Sequence, residues 1–255
     1  MRWKAFLFLA SLLFSSAFGF AADKITPEEL IAKHLDSIGT AEMRAKRNAV
    51  AVFGKSSFDG LSTASGHLDG TAKLVSEGER FQYISEFKSP TYEGESLGWN
   101  GKDAVSSSFG QLRVSHLAMF FNLHPYFIRD GLFGGVLNSA WAMKTISSHP
   151  PKLRIQGLKK YNGRELLQVI YDPKKSEGHL YVKLYFDPET YQHVATVYLM
   201  DEIPIVEERF SAFKNVGGLT LPQQWEIYLT EPVQSLVLRW NIHLSEMRVL
   251  DSLPK

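Results

Sequence analysis

Alternation of apolar and polar residues runs through much of the chain after residue 48. It is clearest at residues 234–248, where Leu238, Trp240 and Ile242 share one face and polar residues stand between them. A period of two is typical of a strand with one buried face. The pattern predicts about eleven strands, mostly joined by short turns. Short turns imply antiparallel neighbours, and an open sheet of this size is expected to curl.

Two parts of the chain favour helix instead. Thr26-Pro27-Glu28-Glu29 is a capping box with proline in the first helical turn, and the helix it starts is predicted to end at Gly39. A short helical stretch is predicted at 41–47. A midchain insert at about 110–148 is rich in Phe, Leu, Met and Gly, and 112–129 is its best helix candidate. We therefore predict a mainly β fold with α elements: a strongly curved antiparallel half-barrel of about eleven strands, with helices covering its concave side.

Turn residues indicate how some of these strands are joined. Asn100-Gly101 and Asn162-Gly163 predict hairpins, and the first suits a type I′ turn because both residues tolerate positive φ. The first dipeptide separates predicted strands at 92–99 and 102–108. Further on, one strand is predicted at 205–215, before a turn at Gly217-Gly218.

The N-terminus predicts export. Residues 1–21 read as a signal peptide: two basic residues precede the apolar run 5–18, and Gly19 and Ala21 occupy the small-residue positions of a cleavage site. We expect the mature chain, 22–255, to be one domain in the periplasm. The chain has no cysteine, so the mature protein is not expected to carry a lipid on a cysteine.

Charge and hydropathy exclude two classes of partner. The whole chain has 28 basic and 27 acidic residues; the signal holds two of the basic ones, so the mature chain has 26 against 27. A dedicated nucleic-acid binder would show a basic excess or stripe, so none is expected here. The longest apolar run after the signal, 117–128, is well short of the roughly 20 residues that a spanning helix needs, so no transmembrane span is predicted after cleavage.

Motifs for catalysis and cofactor binding are missing from the sequence. It has no G-x-S-x-G, no phosphate-binding loop, no G-x-G-x-x-G and no H-E-x-x-H. The adjacent carboxylates Glu207 and Glu208 are predicted to point to opposite faces of a strand. We therefore predict a protein that is not an enzyme and that uses no metal and no cofactor.

An excess of large apolar side chains is the remaining signal. Met119, Phe120, Phe121, Phe127 and Phe133 crowd the midchain insert. They are either ordinary core or the lining of an apolar cavity. Burying a 14-carbon chain in such a cavity is worth roughly 10 kcal/mol before the costs of association. Two strand rows either complete the binding surface or are ordinary core beneath the first helix: Trp225, Ile227, Leu229, Leu238, Trp240 and Ile242.

Three short segments resemble a known family. Residues 210–222 (F-S-A-F-K-N-V-G-G-L-T-L-P), 185–190 (Y-F-D-P-E-T) and 29–39 (E-L-I-A-K-H-L-D-S-I-G) are similar to parts of the periplasmic outer-membrane lipoprotein carriers of the LolA/LolB superfamily. The resemblance implies a curved sheet with a helical cover and an apolar or acylated ligand, either a lipid or a lipoprotein. Its most specific implication is a role in sorting lipoproteins to the outer membrane.

Three hypotheses follow for function. The first is a carrier that holds an acyl chain inside the half-barrel; a concave face fully packed by apolar side chains would argue against it. The second is an enzyme on the same scaffold, with Arg80, Arg113, Arg239 and His243 as candidate polar residues. The third is an envelope interaction module that binds a protein partner and no small ligand.

Overall fold

The structure is a computed structural model, and it describes residues 25–61, 66–110, 115–146, 151–173, 179–232, 235–250 and 252. The predicted signal peptide, residues 1–21, and the candidate Arg113 lie outside this description. Within the described residues, no helix has both the length and the apolar character needed to cross a membrane.

Strands dominate the described chain. The helices are α1 (Pro27–Ile38), α2 (Ala41–Ala45), α3 (His116–Leu123) and α4 (Pro125–Arg129), and a short 3-10 turn covers Gly135–Leu137. The strands are β1 (Ala49–Gly60), β2 (His67–Glu77), β3 (Arg80–Phe87), β4 (Gly94–Trp99), β5 (Ala104–Phe109), β6 (Lys152–Tyr161), β7 (Arg164–Asp172), β8 (Leu180–Phe186), β9 (His193–Met200), β10 (Ile203–Ser211), β11 (Lys214–Val216), β12 (Leu219–Leu221), β13 (Gln224–Glu231) and β14 (Leu236–Leu250).

Twelve strands form one antiparallel sheet in the order β5-β4-β3-β2-β1-β14-β13-β10-β9-β8-β7-β6. Two meanders, β1 to β5 and β6 to β10, are joined by the long pair β13–β14, and β11 and β12 form a separate small hairpin. The sheet is open, with β5 and β6 as its outer strands. The predicted fold class, a curved antiparallel half-barrel with helices, is confirmed. Its description as a single domain stays a prediction.

The two Asn-Gly dipeptides form different turns. Asn162 and Gly163 both have positive φ and directly join β6 to β7, as in a type I′ turn. Asn100-Gly101 begins a four-residue turn instead, because Trp99 pairs with Ala104. Asn100 Oδ1 accepts hydrogen bonds from the backbone N–H groups of Lys102 and Asp103, each at 2.8 Å, and these bonds stabilise the longer turn. The prediction of a type I′ turn at Asn100 was therefore wrong.

Helix α1 follows the sequence prediction closely. Thr26 and Glu29 form the reciprocal capping box, and Pro27 occupies the first helical position. The buried face of α1 consists of Leu30, His34 and Ile38. The helix lies against α2, β6 and β12, so it covers a different part of the sheet from the midchain insert.

The helix predicted at 112–129 is broken into α3 and α4. His124 has φ −128° and ψ 61°, outside the helical region, and Pro125 starts α4. Proline lacks an N–H and disfavours helical backbone at the residue before it, which explains the break. After α4 the chain turns at glycines, so the cover of the sheet is a compact irregular segment rather than one long helix.

Candidate functional site

The described part of the midchain insert, residues 115–146, packs its aromatic side chains on the inner face of the sheet. Phe133 has its ring 5.5 Å from Tyr83 on β3 and 5.2 Å from Trp225 on β13. Phe121 lies 5.0 Å from Phe133, and Phe127 lies 5.1 Å from Tyr198 on β9. Edge-to-face contacts at these distances stabilise aromatic clusters beyond simple burial. The insert therefore occupies the concave face.

The predicted strand residues form three cross-strand pairs. Trp225 pairs with Ile242, Ile227 with Trp240 and Leu229 with Leu238, so β13 and β14 present one apolar surface. Trp225 in the first pair contacts Phe133 of the insert, whereas Trp240 packs against Phe58 and donates to Tyr92. Ten of the eleven predicted ligand-binding residues are buried in a single apolar cluster: Phe120, Phe121, Phe127, Phe133, Trp225, Ile227, Leu229, Leu238, Trp240 and Ile242. The structure brings them together, and their role in ligand binding stays a prediction.

Met119 departs from this group. Its side chain points outward from α3 and is 43% exposed, and Leu123, one helical turn further on, is 68% exposed. Val105 on the outer strand β5 is also exposed. Sequence reasoning placed Met119 with its phenylalanine neighbours because they are adjacent in the chain, but the helical period separates them.

The insert turns at three glycines with positive φ, Gly131, Gly134 and Gly135. At Gly131 a Cβ atom would stand 1.8 Å from the carbonyl oxygen of Ala140, so only glycine fits. This turn carries Phe133 into the core. It also aims the backbone N–H of Gly134 at the sheet.

Glu208 on β10 accepts a hydrogen bond from the backbone N–H of Gly134. Its carboxyl group is fully buried and accepts hydrogen bonds from Gly134 N at 2.8 Å, Tyr198 Oη at 2.8 Å and Trp225 Nε1 at 3.0 Å. Burial raises the pKa of Glu208 to about 8, against the opposing effect of its three donors. The protonated form keeps all three contacts if its O–H points to Tyr198. Glu208 thus links the turn of the insert to the inner face of the sheet.

Glu95 on β4 holds the start of the insert in a similar way. It is fully buried and accepts hydrogen bonds from Tyr92 Oη at 2.8 Å and from the hydroxyl of Ser115, the residue that caps α3. Trp240 Nε1 donates in turn to Tyr92 Oη at 3.1 Å. Burial raises the pKa of Glu95 to about 7.

Arg47, just before β1, fastens the other side of the turn. Its two terminal nitrogens donate to the carbonyl oxygens of Val136 at 2.6 Å and Leu137 at 2.7 Å. Arg47 is buried, and burial lowers its pKa to about 10. Ser139 adds a further link, since its N–H donates to Ser76 Oγ on β2 at 2.9 Å. Polar contacts therefore hold the insert at its start, its turn and its end.

Two buried histidines lie between α1 and the sheet: His34 on the inner face of α1 and His193 at the start of β9. His34 accepts a hydrogen bond from Trp141 Nε1 at 2.9 Å through Nε2, so its Nδ1 carries the proton and donates to Tyr191 O at 2.9 Å. Burial lowers the pKa of His34 to about 4 and lowers that of His193 well below its usual value. Both are neutral packing residues near pH 7, and Trp141 ties the insert to α1.

The three described candidates of the enzyme hypothesis each have a separate partner. Arg80 pairs with Glu77 at the start of β3, Arg239 donates to Asp59, and His243 contacts Gln224 on the outer face of β14. Among the described residues, no group of three or more His, Asp or Glu side chains has an arrangement that could hold a metal ion.

Sequence reasoning missed the buried polar groups that fasten the insert. A signal was present for Glu208, because Val206, Glu208 and Phe210 alternate on one face and place a carboxylate among apolar residues. The prediction that Glu207 and Glu208 point to opposite faces agrees with the structure, where Glu207 contacts Arg209 and Tyr161 instead. Nothing local to Arg47 indicates its burial, since its partners are about ninety residues away.

Comparison with solved structures identifies the type of fold. A LolA superfamily protein from Nitrosomonas europaea matches with a TM-score of 0.53 and 13% identity, over 90% of this chain and 96% of its own. A proposed outer membrane lipoprotein-sorting protein domain from Vibrio parahaemolyticus matches with a TM-score of 0.51 and 12% identity, over 88% and 95%. A DUF1329 family protein from Desulfovibrio piger gives 0.52 and 12%, over 89% and 94%.

The chain therefore has a LolA-like fold. At these identities the likeness concerns the fold alone, and function has to be argued from the site. No protein-family model matches the sequence, and no curated protein matches it significantly.

Proposed function

We infer that this protein is a carrier that binds an apolar or acylated ligand, a lipid or lipoprotein, on the concave face of its sheet. The observation that carries this proposal is the insert itself. An aromatic segment with a glycine turn lies on an apolar sheet face, in the place where a ligand's acyl chain would lie.

In the described residues the concave face is packed by apolar side chains, the arrangement expected to argue against an acyl chain held in a preformed cavity. The carrier proposal therefore applies only to a form in which the insert is displaced. In the structure Phe121, Phe127 and Phe133 are buried against the sheet, so the closed form is filled by its own side chains. Moving the insert exposes the paired surface of β13 and β14. An acyl chain replaces the lost apolar contacts at about 0.8 kcal/mol per buried methylene. The links through Glu95, Glu208 and Arg47 define the closed position to which the insert returns.

The proposed location is the periplasm, with residues 1–21 as a cleaved signal peptide. A LolA-like fold, and the name of the Vibrio domain, favour a role in lipoprotein sorting as the specific form of this proposal. The single domain of the mature chain, 22–255, is part of the same proposal.

A disulfide lock tests whether the insert has to move. The backbone N–H of Ser139 donates to Ser76 Oγ at 2.9 Å and both residues are buried, so the insert backbone lies within side-chain reach of β2. We expect the oxidised double variant S76C/S139C to bind the fluorescent fatty acid cis-parinaric acid at least about tenfold more weakly than the reduced form, since the lock removes the open state. Fluorescence titration measures this affinity. Loss of free thiols in the oxidised sample confirms that the disulfide has formed before the titration.

The chain has no native cysteine, so the introduced pair contains its only thiols. The single variant S139C, treated with the same oxidant and reductant, is the matched control and should bind the probe equally in both states. Equal binding by the locked and reduced double variant would show that the ligand does not use the space under the insert.

An interaction module is the second candidate function. Its support is the exposed apolar pair Met119 and Leu123, which lie one helical turn apart on α3. Large exposed apolar side chains in one place are typical of protein contact sites. Under this hypothesis neither form of the double variant binds cis-parinaric acid, so the lock experiment separates the two functions.

A further inference from the structure

A small cleft opens between α1, α2 and the end of the insert. Its enclosed part has a volume of about 20 Å³, and Arg44, Arg47 and Lys144 all line it. Ile38 and Trp141 form apolar parts of the wall. The cleft lies outside the apolar surface of β13 and β14. Arg47 also holds the insert through Val136 and Leu137, whereas Arg44 and Lys144 have no part in the proposed carrier function.

Three cations lie around this cleft with little compensating negative charge. Among the described residues, Arg47 and Lys144 make no ion pair, and Arg44 pairs only with the exposed Asp36 at 3.3 Å. The other partners of Arg44 are carbonyl oxygens of Leu35 and Gly39. Like charges gathered at a partly buried site repel one another, so such a group costs stability unless an anion joins it.

Two further features point to a missing anion. The Nε of Arg47 is buried and has no hydrogen-bond partner within the described part of the chain. Lys144, an exposed residue, makes no ion pair within the described part of the chain, and desolvation together with the neighbouring charges of Arg47 and Arg44 lowers its pKa. Buried donors without partners are uncommon in folded proteins and call for a specific explanation.

We propose that this cleft is an anion site that takes a phosphate or carboxylate group, held by Arg44, Arg47 and Lys144. Its enclosed volume fits one water-sized group. One oxygen of the anion therefore enters beside the buried Arg47, while the rest of the group stays at the opening, where Lys144 is exposed. Guanidinium groups match the geometry of phosphate and carboxylate oxygens, and an ammonium adds a strong point charge.

Substitution of Lys144 tests the site without disturbing the buried Arg47. Inorganic phosphate is the probe, titrated at constant ionic strength against chloride and followed by calorimetry and thermal unfolding. We expect K144Q to weaken phosphate binding about tenfold, the loss of one charge-assisted hydrogen bond. Without phosphate, K144Q should unfold at a higher temperature than the natural chain, because it removes like-charge repulsion; saturating phosphate should abolish that advantage.

Lys46 provides the matched control. It is exposed, pairs with Glu42 at 2.8 Å and does not line the cleft, so K46Q should bind phosphate within about twofold of the natural chain. If K144Q and K46Q weaken phosphate binding equally, the effect comes from general surface charge and the proposal is overturned. A natural chain whose unfolding temperature is the same in phosphate and in chloride would overturn it as well.

A second experiment, with a soluble lipid as the probe, identifies the source of the anion. Dihexanoyl phosphatidic acid, used as monomers, is compared with inorganic phosphate on the natural chain and on K144Q. Tighter binding of the lipid, weakened by K144Q, assigns the cleft to a lipid headgroup; equal binding assigns it to a free anion. The anion site does not rest on the carrier proposal, since failure of the carrier leaves phosphate binding intact. Binding of neither probe overturns the anion site.

Discussion

Replacing Phe133 with alanine is expected to destabilise the protein by about 3–5 kcal/mol and to tighten its binding of an acyl probe. The side chain is fully buried and touches Tyr83, Phe121 and Trp225. Truncation leaves a cavity on the concave face and weakens the closed position of the insert. When ligand binding competes with closure, each 1.4 kcal/mol lost from the closed state strengthens apparent binding by about tenfold. Denaturant unfolding and cis-parinaric acid titration measure the two effects.

Phe186 is the matched control for this experiment. It is equally buried, and its ring packs against His34 and His193, which separate it from Trp141 of the insert. F186A should destabilise the protein by a similar amount and leave the probe affinity nearly unchanged. If F133A and F186A affect binding equally, Phe133 is ordinary core and the insert does not compete with a ligand.

The variant E208Q is expected to reduce the loss of stability that we predict for the natural chain between pH 7 and pH 8. Unfolded glutamate has a pKa near 4.3, whereas burial raises the pKa of Glu208 to about 8. Between these values the folded state holds the proton that the unfolded state releases, so stability falls as pH rises, by up to about 1.4 kcal/mol per pH unit. Glu95, with a pKa of about 7, contributes the same trend at lower pH.

The amide introduced by E208Q imitates the protonated acid, because its oxygen can accept from Gly134 and Trp225 while its NH₂ donates to Tyr198. Unfolding free energies at pH 7 and 8 should therefore differ less in E208Q than in the natural chain. E207Q, on the opposite face of β10, is the matched control and should keep the natural slope. An unchanged slope in E208Q would show that Glu208 is already ionised at pH 7.

The histidines act in the opposite direction at lower pH. The pKa of His34 falls to about 4, below the value near 6.5 of the unfolded chain. As pH falls through 6.5, the unfolded state binds protons that the folded state does not, and stability decreases. Between about pH 4.3 and 6.5 the histidine and glutamate effects have opposite signs and offset each other, so the fall in stability caused by the glutamates becomes visible above about pH 6.5.

Local signals in the sequence predicted the elements whose partners are near in the chain. The Thr26–Glu29 capping box and the alternation in β14 depend on residues close to each other, and both appear as expected. The Asn-Gly dipeptide correctly predicted the hairpin turn at Asn162 and Gly163, where both residues have positive φ. At Asn100 the side chain caps two backbone N–H groups, a local competition that the dipeptide alone does not reveal.

Long-range contacts explain what the sequence did not predict. The inner faces of β13 and β14 were found from their period of two, but the side chains that fasten the insert join distant segments. Glu208 meets Gly134, and Arg47 meets Val136. Periodicity indicates which face a residue is on, not which distant residue it contacts there. The helix break before Pro125, in contrast, has a local cause. A residue that precedes proline disfavours helical backbone, but the continuous apolar run 117–128 led to the prediction of a single helix.

Native mass spectrometry tests the central claim most directly. The full chain is expressed with its own N-terminus, released from the cell envelope without detergent and measured before and after addition of excess phosphatidylglycerol and of a diacylated peptide. The account predicts an added mass matching an acylated molecule, either retained from the cell or acquired from these mixtures. A protein that stays at its bare mass in every sample would contradict the proposal that its concave face carries an acyl chain.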